Sequence, residues 1–236
     1  MTTIAQVKKL VMPFLDRHSD YTLHGRMVFR RPFDHLLVGM ELKAAGHRDQ
    51  LLSIWFVSTT FQPPPVGRGI SGTMDRASGI LGLDKVVPEM DLAVTEFLEP
   101  LASFEAILAS ERRVFFGGMD DVTRAIVLIA AGRFDEGEAM LASAITLRER
   151  FGRSWQEQFG SKIRPGTKRW RMNQEDLAAE DLYLGTVKRL LGVVATRDRG
   201  VLADLLREWE LEGARRRGIE QYWQPMPFPF EQSRPA

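Results

Sequence analysis

The sequence predicts an α+β protein: an N-terminal helix and a three-stranded antiparallel meander, then a mostly helical region ending in an extended C-terminal arm. Three observations carry this reading. Apolar residues recur with period two between Leu23 and Leu42 and form a continuous apolar run up to Phe61. From Pro88 onward the spacing becomes helical. The chain then closes on Gln221-Tyr222-Trp223-Gln224-Pro225-Met226-Pro227-Phe228-Pro229-Phe230, where proline alternates with large apolar side chains.

The first helix is marked by Ile4, Val7, Leu10, Val11, Phe14 and Leu15, with Thr2 and Thr3 as caps. Pro13 falls inside the pattern and predicts a kink or break near its end. Three strand-like runs follow. Leu23, Met27 and Phe29 alternate with polar neighbours, and Leu36, Val38, Met40 and Leu42 do the same. The run Leu51 to Phe61 is apolar on both phases and suits an enclosed central strand. Pro63-Pro64-Pro65 ends that strand, because consecutive prolines cannot join a ladder. Residues 66–85, with glycine at 67, 69, 72, 79 and 82, read as a loop.

Leu92, Phe97, Leu98, Leu101, Phe104, Ile107 and Leu108 then repeat at helical spacing, with Pro100 splitting the stretch. Residues 151–173 are polar, basic and glycine-bearing, and read as a long connection. Asn173 and Asp176 cap the next helix, built on Leu177, Leu184, Val187, Leu190, Leu191 and Val194. Asp198 opens the last long helix, with Val201, Leu202, Leu205, Leu206 and Trp209 facing inward. The sheet and the helices share one core over residues 1–236, since no charged or low-complexity linker divides them. The alternative separates a sheet domain (1–61), a helical domain (86–220) and the arm (221–236).

Between residues 120 and 150, Ala125, Leu128, Ala130-Ala131-Gly132-Arg133-Phe134-Asp135-Glu136 and Ala139-Leu141-Ala142-Ala144-Ile145 set out a helix–turn–helix cadence. It resembles one degenerate hairpin of the tetratricopeptide kind, which implies an αα-hairpin there. A single unit makes no solenoid, so the resemblance implies no peptide-binding groove.

Composition narrows the function classes. The chain has 236 residues, a net charge of +1 and no cysteine. The charge gives no global attraction for nucleic acid or an anionic membrane. The missing cysteine excludes disulfides, thiol nucleophiles and thiolate metal sites. Arginine outnumbers lysine by 25 to 7, a bias expected of a GC-rich coding sequence. The first residues lack the basic-then-apolar order of a signal peptide, and no apolar run is long enough for a bilayer. A cytoplasmic protein is expected, with no membrane contact, cofactor or metal.

Four groups of residues are candidates for chemistry or recognition. His24 and His35 can approach across the first hairpin, with Arg26 and Glu41 beside them, as a proton-transfer or ligand cluster. Arg68 and Arg76, in the glycine-rich stretch 67–76, can complement an anion, although the Gly-Lys-Ser/Thr ending of a phosphate loop is absent. Lys162, Arg164, Lys168, Arg169 and Arg171, with Trp155 and Trp170, can clamp phosphate and stack a base. Glu175, Asp176, Glu180 and Asp181 offer that segment an internal counter-charge, and an internally salt-linked loop is the favoured reading.

The arm is the fourth. Three prolines fix φ and remove backbone donors, so residues 224–230 form a stiff extended segment. In that geometry Met226, Phe228 and Phe230 line one side, and Tyr222 and Trp223 stand at the root. The arm is expected as a strap along a helical surface, of its own chain or of a second subunit.

No catalytic signature is present. The leading expectation is a non-catalytic bacterial accessory or interaction protein, self-associating through the arm or binding a protein partner. The alternatives are a small-molecule or phosphate-ester enzyme, in which His24, Arg26, Glu41 and Arg68 converge under the 66–85 loop, and nucleic-acid binding through residues 162–171.

Overall fold

A computed structural model describes residues 3–47, 49–63, 73–110 and 120–232. Helix α1 (Ile4–Arg17) starts at a capping box, in which Thr3 Oγ1 accepts from the Gln6 N–H and the Gln6 side chain accepts from the Thr3 N–H. Pro13 does not end it; the helix runs on to Arg17 and buries Val7, Val11 and Phe14.

The sheet has five strands in the order β1-β2-β3-β4-β5, all neighbours antiparallel. The first expected strand is a hairpin of two, β1 (Tyr21–His24) and β2 (Met27–Arg30). Gly25 turns the chain at φ +63°, a backbone angle that side chains with a Cβ resist. Strands β3 (Leu36–Ala44) and β4 (Gln50–Thr59) follow as expected. The fifth, β5 (Thr73–Gly82), lies where the sequence suggested a loop. Its sequence is polar and glycine-bearing, and its strand form follows from pairing with β4 at the sheet edge, with a register shift between Ser53 and Ile54.

Both faces of the sheet are covered. Val28, Val38, Met40, Leu42, Trp55 and Val57 point into the main core, which continues through α1, the later helices and the end of the arm. The opposite face carries Phe29, Leu37 and Phe56, packed under Phe33, Ala214 and Ile219. Alternation along each strand produces this division, since paired residues across strands share a face.

Helix α2 (Leu83–Ala93) gives way to a π turn at Val94–Leu98 and a 3₁₀ turn at Glu99–Leu101, where Pro100 divides the apolar stretch. Helices α3 (Phe104–Ala109), α4 (Asp121–Ala130) and α5 (Phe134–Gln158) follow, then α6 (Lys168–Thr196) and α7 (Arg199–Arg217). A last helical turn, α8 (Pro229–Gln232), closes the described chain. Two boundaries differ from the sequence expectation. The 151–173 connection is mostly helix, as α5 continues to Gln158 and α6 begins at Lys168. The cap of α6 is Thr167, whose hydroxyl accepts from the Trp170 N–H at 3.1 Å, while Asn173 is buried inside the helix. Asp198 caps α7 as expected, accepting from the Val201 N–H.

Among the described residues no helix is long and apolar enough to cross a membrane.

Candidate functional site

Two places concentrate side chains beyond what packing alone requires: a buried polar pair beneath the arm, and the hairpin formed by α5 and α6.

The arm lies against its own chain. At its root the Phe33 N–H donates to the Tyr222 carbonyl at 3.1 Å, and the Gln224 N–H donates to the Phe33 carbonyl at 2.9 Å. The Tyr222 ring meets Phe29 edge-on at 5.5 Å, and Trp223 packs in the same cluster. Residues 224–227 then run exposed before Phe228 and Phe230 turn inward, both fully buried. Met226 departs from the sequence expectation. It is 43% exposed, since the whole stretch 224–227 runs in solvent and the chain turns inward only at Phe228, at the entry to α8. The tip is held by the Glu231 carboxylate, which accepts from the Phe228 N–H at 2.7 Å and pairs with the Arg207 guanidinium. Arg199 donates to the Phe230 carbonyl at 3.0 Å.

Beneath the tip, His35 is stacked on Phe228 with ring centres 3.9 Å apart, and Phe61 and Phe104 complete its aromatic surround. Its Nδ1 lies 2.7 Å from Glu210 Oε1, and its Nε2 lies 3.4 Å from the Pro227 carbonyl of the arm. The Thr60 hydroxyl shares its proton between the Asp34 carbonyl at 2.8 Å and Glu210 Oε1 at 3.2 Å. Both neighbours of the imidazole are acceptors, so the doubly protonated ring satisfies both. Burial pulls the His35 pKa down, but the Glu210 hydrogen bond and charge, with Asp34 and the Pro227 carbonyl, outweigh it and hold the pKa above the ordinary 6.5. Such a pair can orient and hold a proton. While the arm is seated it presents no open face to a substrate, since His35 is 7% exposed and Glu210 is fully buried.

The expected cluster around His24 does not include His35, which sits in this core site instead. His24, Met27 and Glu41 share one register row, and Glu41 pairs with Lys43 at 3.1 Å. Arg26 donates to the Leu42 carbonyl at 3.4 Å. Arg68 lies outside the described residues, and Arg76 is paired in register with Trp55 on β5. Among the described residues no group of His, Asp or Glu is placed to hold a metal ion. Glu210 is absent from the sequence candidates, yet the chain marks it: a carboxylate on the same stripe of α7 as Leu206, Trp209 and Gly213.

The second place is the α5–α6 hairpin. Its inner half is anchored by Leu141, Ala144 and Ile145 of α5 and by Leu184, Val187 and Leu190 of α6. Beyond Ile145, α5 continues for about 20 Å of helix with none of its side chains fully buried. Arg148 ties the two helices, pairing with Glu180 at 3.2 Å and with Asp120 at 3.3 Å, and lying over the Tyr183 ring at 5.0 Å. Burial lifts the Tyr183 hydroxyl to about 12, with Asp120 adding to the rise and Arg148 opposing it. Further out the helices enclose an open cleft of about 590 Å³ that Arg148, Gln156, Leu177, Glu180 and Lys188 help to line.

This hairpin displays apolar side chains to solvent. Leu147 and Phe151, one turn apart on α5, are 60% and 70% exposed, and Phe159, Met172 and Leu182 are also open. Lys168, Arg169 and Arg171 are exposed on the first turn of α6, with Trp170 half-buried. The expected internal salt links are absent: among the described residues Arg164, Lys168, Arg169 and Arg171 make no ion pair, and neither do Glu175, Asp176 or Asp181. Arg164 stands in the short connection before α6, and on α6 the basic first turn points to solvent; even Arg171 and Glu175, one turn apart, form no ion pair. No protein-family model matches the chain, nor does any curated protein or solved structure match it.

Proposed function

We propose that the protein is a non-catalytic interaction protein whose docking element is the α5–α6 hairpin. The observation that carries this reading is the exposed stripe of Leu147 and Phe151 on a helix segment that extends past the core. A contiguous apolar stripe left in water is costly, and covering it is the usual role of a partner surface. The open cleft beside Arg148 and Glu180 adds a concave, polar-rimmed neighbour to that stripe.

The C-terminal arm has a different part in this reading. With Phe228 and Phe230 seated in its own chain, it braces the end of the helical layer against the sheet, and Met226 is its exposed apolar side chain. The arm therefore serves the scaffold that presents the hairpin.

The reading is tested in cells by replacing Phe151 with a photo-crosslinking phenylalanine analogue, and Val201 of α7, which is 51% exposed, with the same analogue as a control. Covalent adducts are expected from position 151 and not from position 201. Equal labelling at the two positions, or none at 151, would overturn it.

A further inference from the structure

Resting on that reading, we propose that the hairpin's partner is a second copy of this chain, packed antiparallel against it about a two-fold axis. Charge is segregated from the tip along α6. Residues 160–171, at the tip and the first turn of α6, hold five basic residues and no acid. Between residues 174 and 182 there are four acids, Glu175, Asp176, Glu180 and Asp181, and no base. The basic turn at Lys168–Arg171 and the centre of the acidic segment lie about 12 Å apart along α6.

A lengthwise arrangement of this kind is self-complementary in one orientation. With a two-fold axis passing near Gln174, the basic turn of each copy meets the acidic segment of the other, and the contact is made twice, as an isologous interface requires. A parallel arrangement sets basic on basic and acid on acid, which electrostatics opposes. The charges are available for this, because Lys168, Arg169, Arg171, Glu175, Asp176 and Asp181 are exposed and make no ion pair among the described residues. The same stretch holds the apolar contact material: Phe151 of α5 and Met172 of α6 are 70% and 53% exposed. A nucleic acid would answer to the basic tip alone. It would leave the acidic segment unused and repelled, so the second copy is the occupant that both ends of the charge pattern favour.

The test uses the full chain in solution. Light scattering at low salt, about 50 mM, is expected to give twice 26.8 kDa, falling towards 26.8 kDa at about 1 M salt as the charges are screened. Two triple variants follow. One carries Lys168→Glu, Arg169→Glu and Arg171→Glu; the other carries Glu175→Lys, Asp176→Lys and Asp181→Lys. Each is expected to be a monomer alone, and an equimolar mixture is expected to recover the doubled mass, because each supplies the charge the other now lacks. Phe151→Glu, at a solvent-facing position, is expected to be a monomer that no mixture rescues. A wild-type mass of 26.8 kDa at about 100 μM and low salt overturns the inference, as does a doubled mass that neither triple variant alters. So does a monomer that retards single-stranded RNA at low salt. A crosslink from position 151 to a different protein, with the purified chain monomeric, overturns this inference and leaves the interaction reading standing.

Discussion

His35 and Glu210, 175 positions apart in the sequence, are joined by a 2.7 Å hydrogen bond, with the imidazole Nδ1–H donating to a carboxylate that is fully buried. The bond links the start of β3 to the inner face of α7, and the Phe228 ring of the arm is laid flat over it. Sheet, helix and arm meet at this one imidazole.

The pH dependence of stability follows from that contact. The pKa of His35 is raised in the fold above its ordinary 6.5. Below about 6.5 the imidazole is protonated both folded and unfolded, and its contribution to stability is fully present. As pH rises the unfolded chain loses the proton first, and the contribution is lost by the time pH passes the folded pKa. Unfolding free energy from urea titrations should therefore fall as pH rises above about 6.5. His35→Phe keeps a ring in the stack but removes the imidazole's titration, and leaves the buried Glu210 with only the Thr60 hydroxyl, at a cost of about 3–5 kcal/mol. Identical pH slopes for the wild type and His35→Phe would refute the assignment.

The arm offers a contrast within one segment. Phe228 is fully buried against His35, Phe61 and Phe230, and Phe228→Ala should destabilise the fold by about 3–5 kcal/mol. Met226, two residues earlier, is 43% exposed, and Met226→Ala should change stability by no more than about 0.5 kcal/mol. Chemical denaturation of the two variants decides it. Equal effects would mean that the arm is not seated in this way.

These contacts also show where the sequence was legible. Alternation around Met40 and the capping residues Thr3 and Asp198 are local signals, and local structure followed them. The strap-like arm was readable because proline restricts its own backbone. Strand β5 was not, since Thr73–Gly82 has no apolar alternation of its own and takes its form from β4. The outer parts of α5 and α6 were missed for a related reason: a helix that buries little has no apolar stripe to announce it. His35 and Glu210 were illegible as a pair, because nothing local links β3 to α7. An internally salt-linked loop over 162–181 is not what forms: most of that stretch is helix, and its exposed charges stay in solvent without pairing among the described residues.

The same α7 stripe that delivers Glu210 brings Gly213 against the end of the sheet. A Cβ at residue 213 would stand 2.9 Å from the Thr60 carbonyl oxygen, closer than real contacts allow. Gly213→Ala must therefore push α7 off β4, moving Glu210 from Thr60 and His35 as it does so. A loss of about 1–3 kcal/mol is expected from the overpacking. Because the pair is disturbed as well, the pH slope described above should weaken in the same variant. A variant as stable as the wild type would show that helix and sheet are less tightly apposed here.

The hairpin should also separate from the core in its dynamics. In α4, Val122, Thr123 and every residue from Ala125 to Ala130 are buried, so its amides are expected to exchange only through near-global unfolding. Residues 146–158 and 168–183 have few buried side chains and should exchange through local opening, orders of magnitude sooner. Hydrogen exchange followed by mass spectrometry resolves the two classes. If a second copy covers the hairpin, protection between 168 and 183 should increase with protein concentration and decrease with added salt, while α4 stays unchanged. Uniform protection over α4, α5 and α6 at every concentration would contradict both the exposed hairpin and its pairing. Protection that is low and independent of concentration would retain the exposed hairpin and remove its self-association.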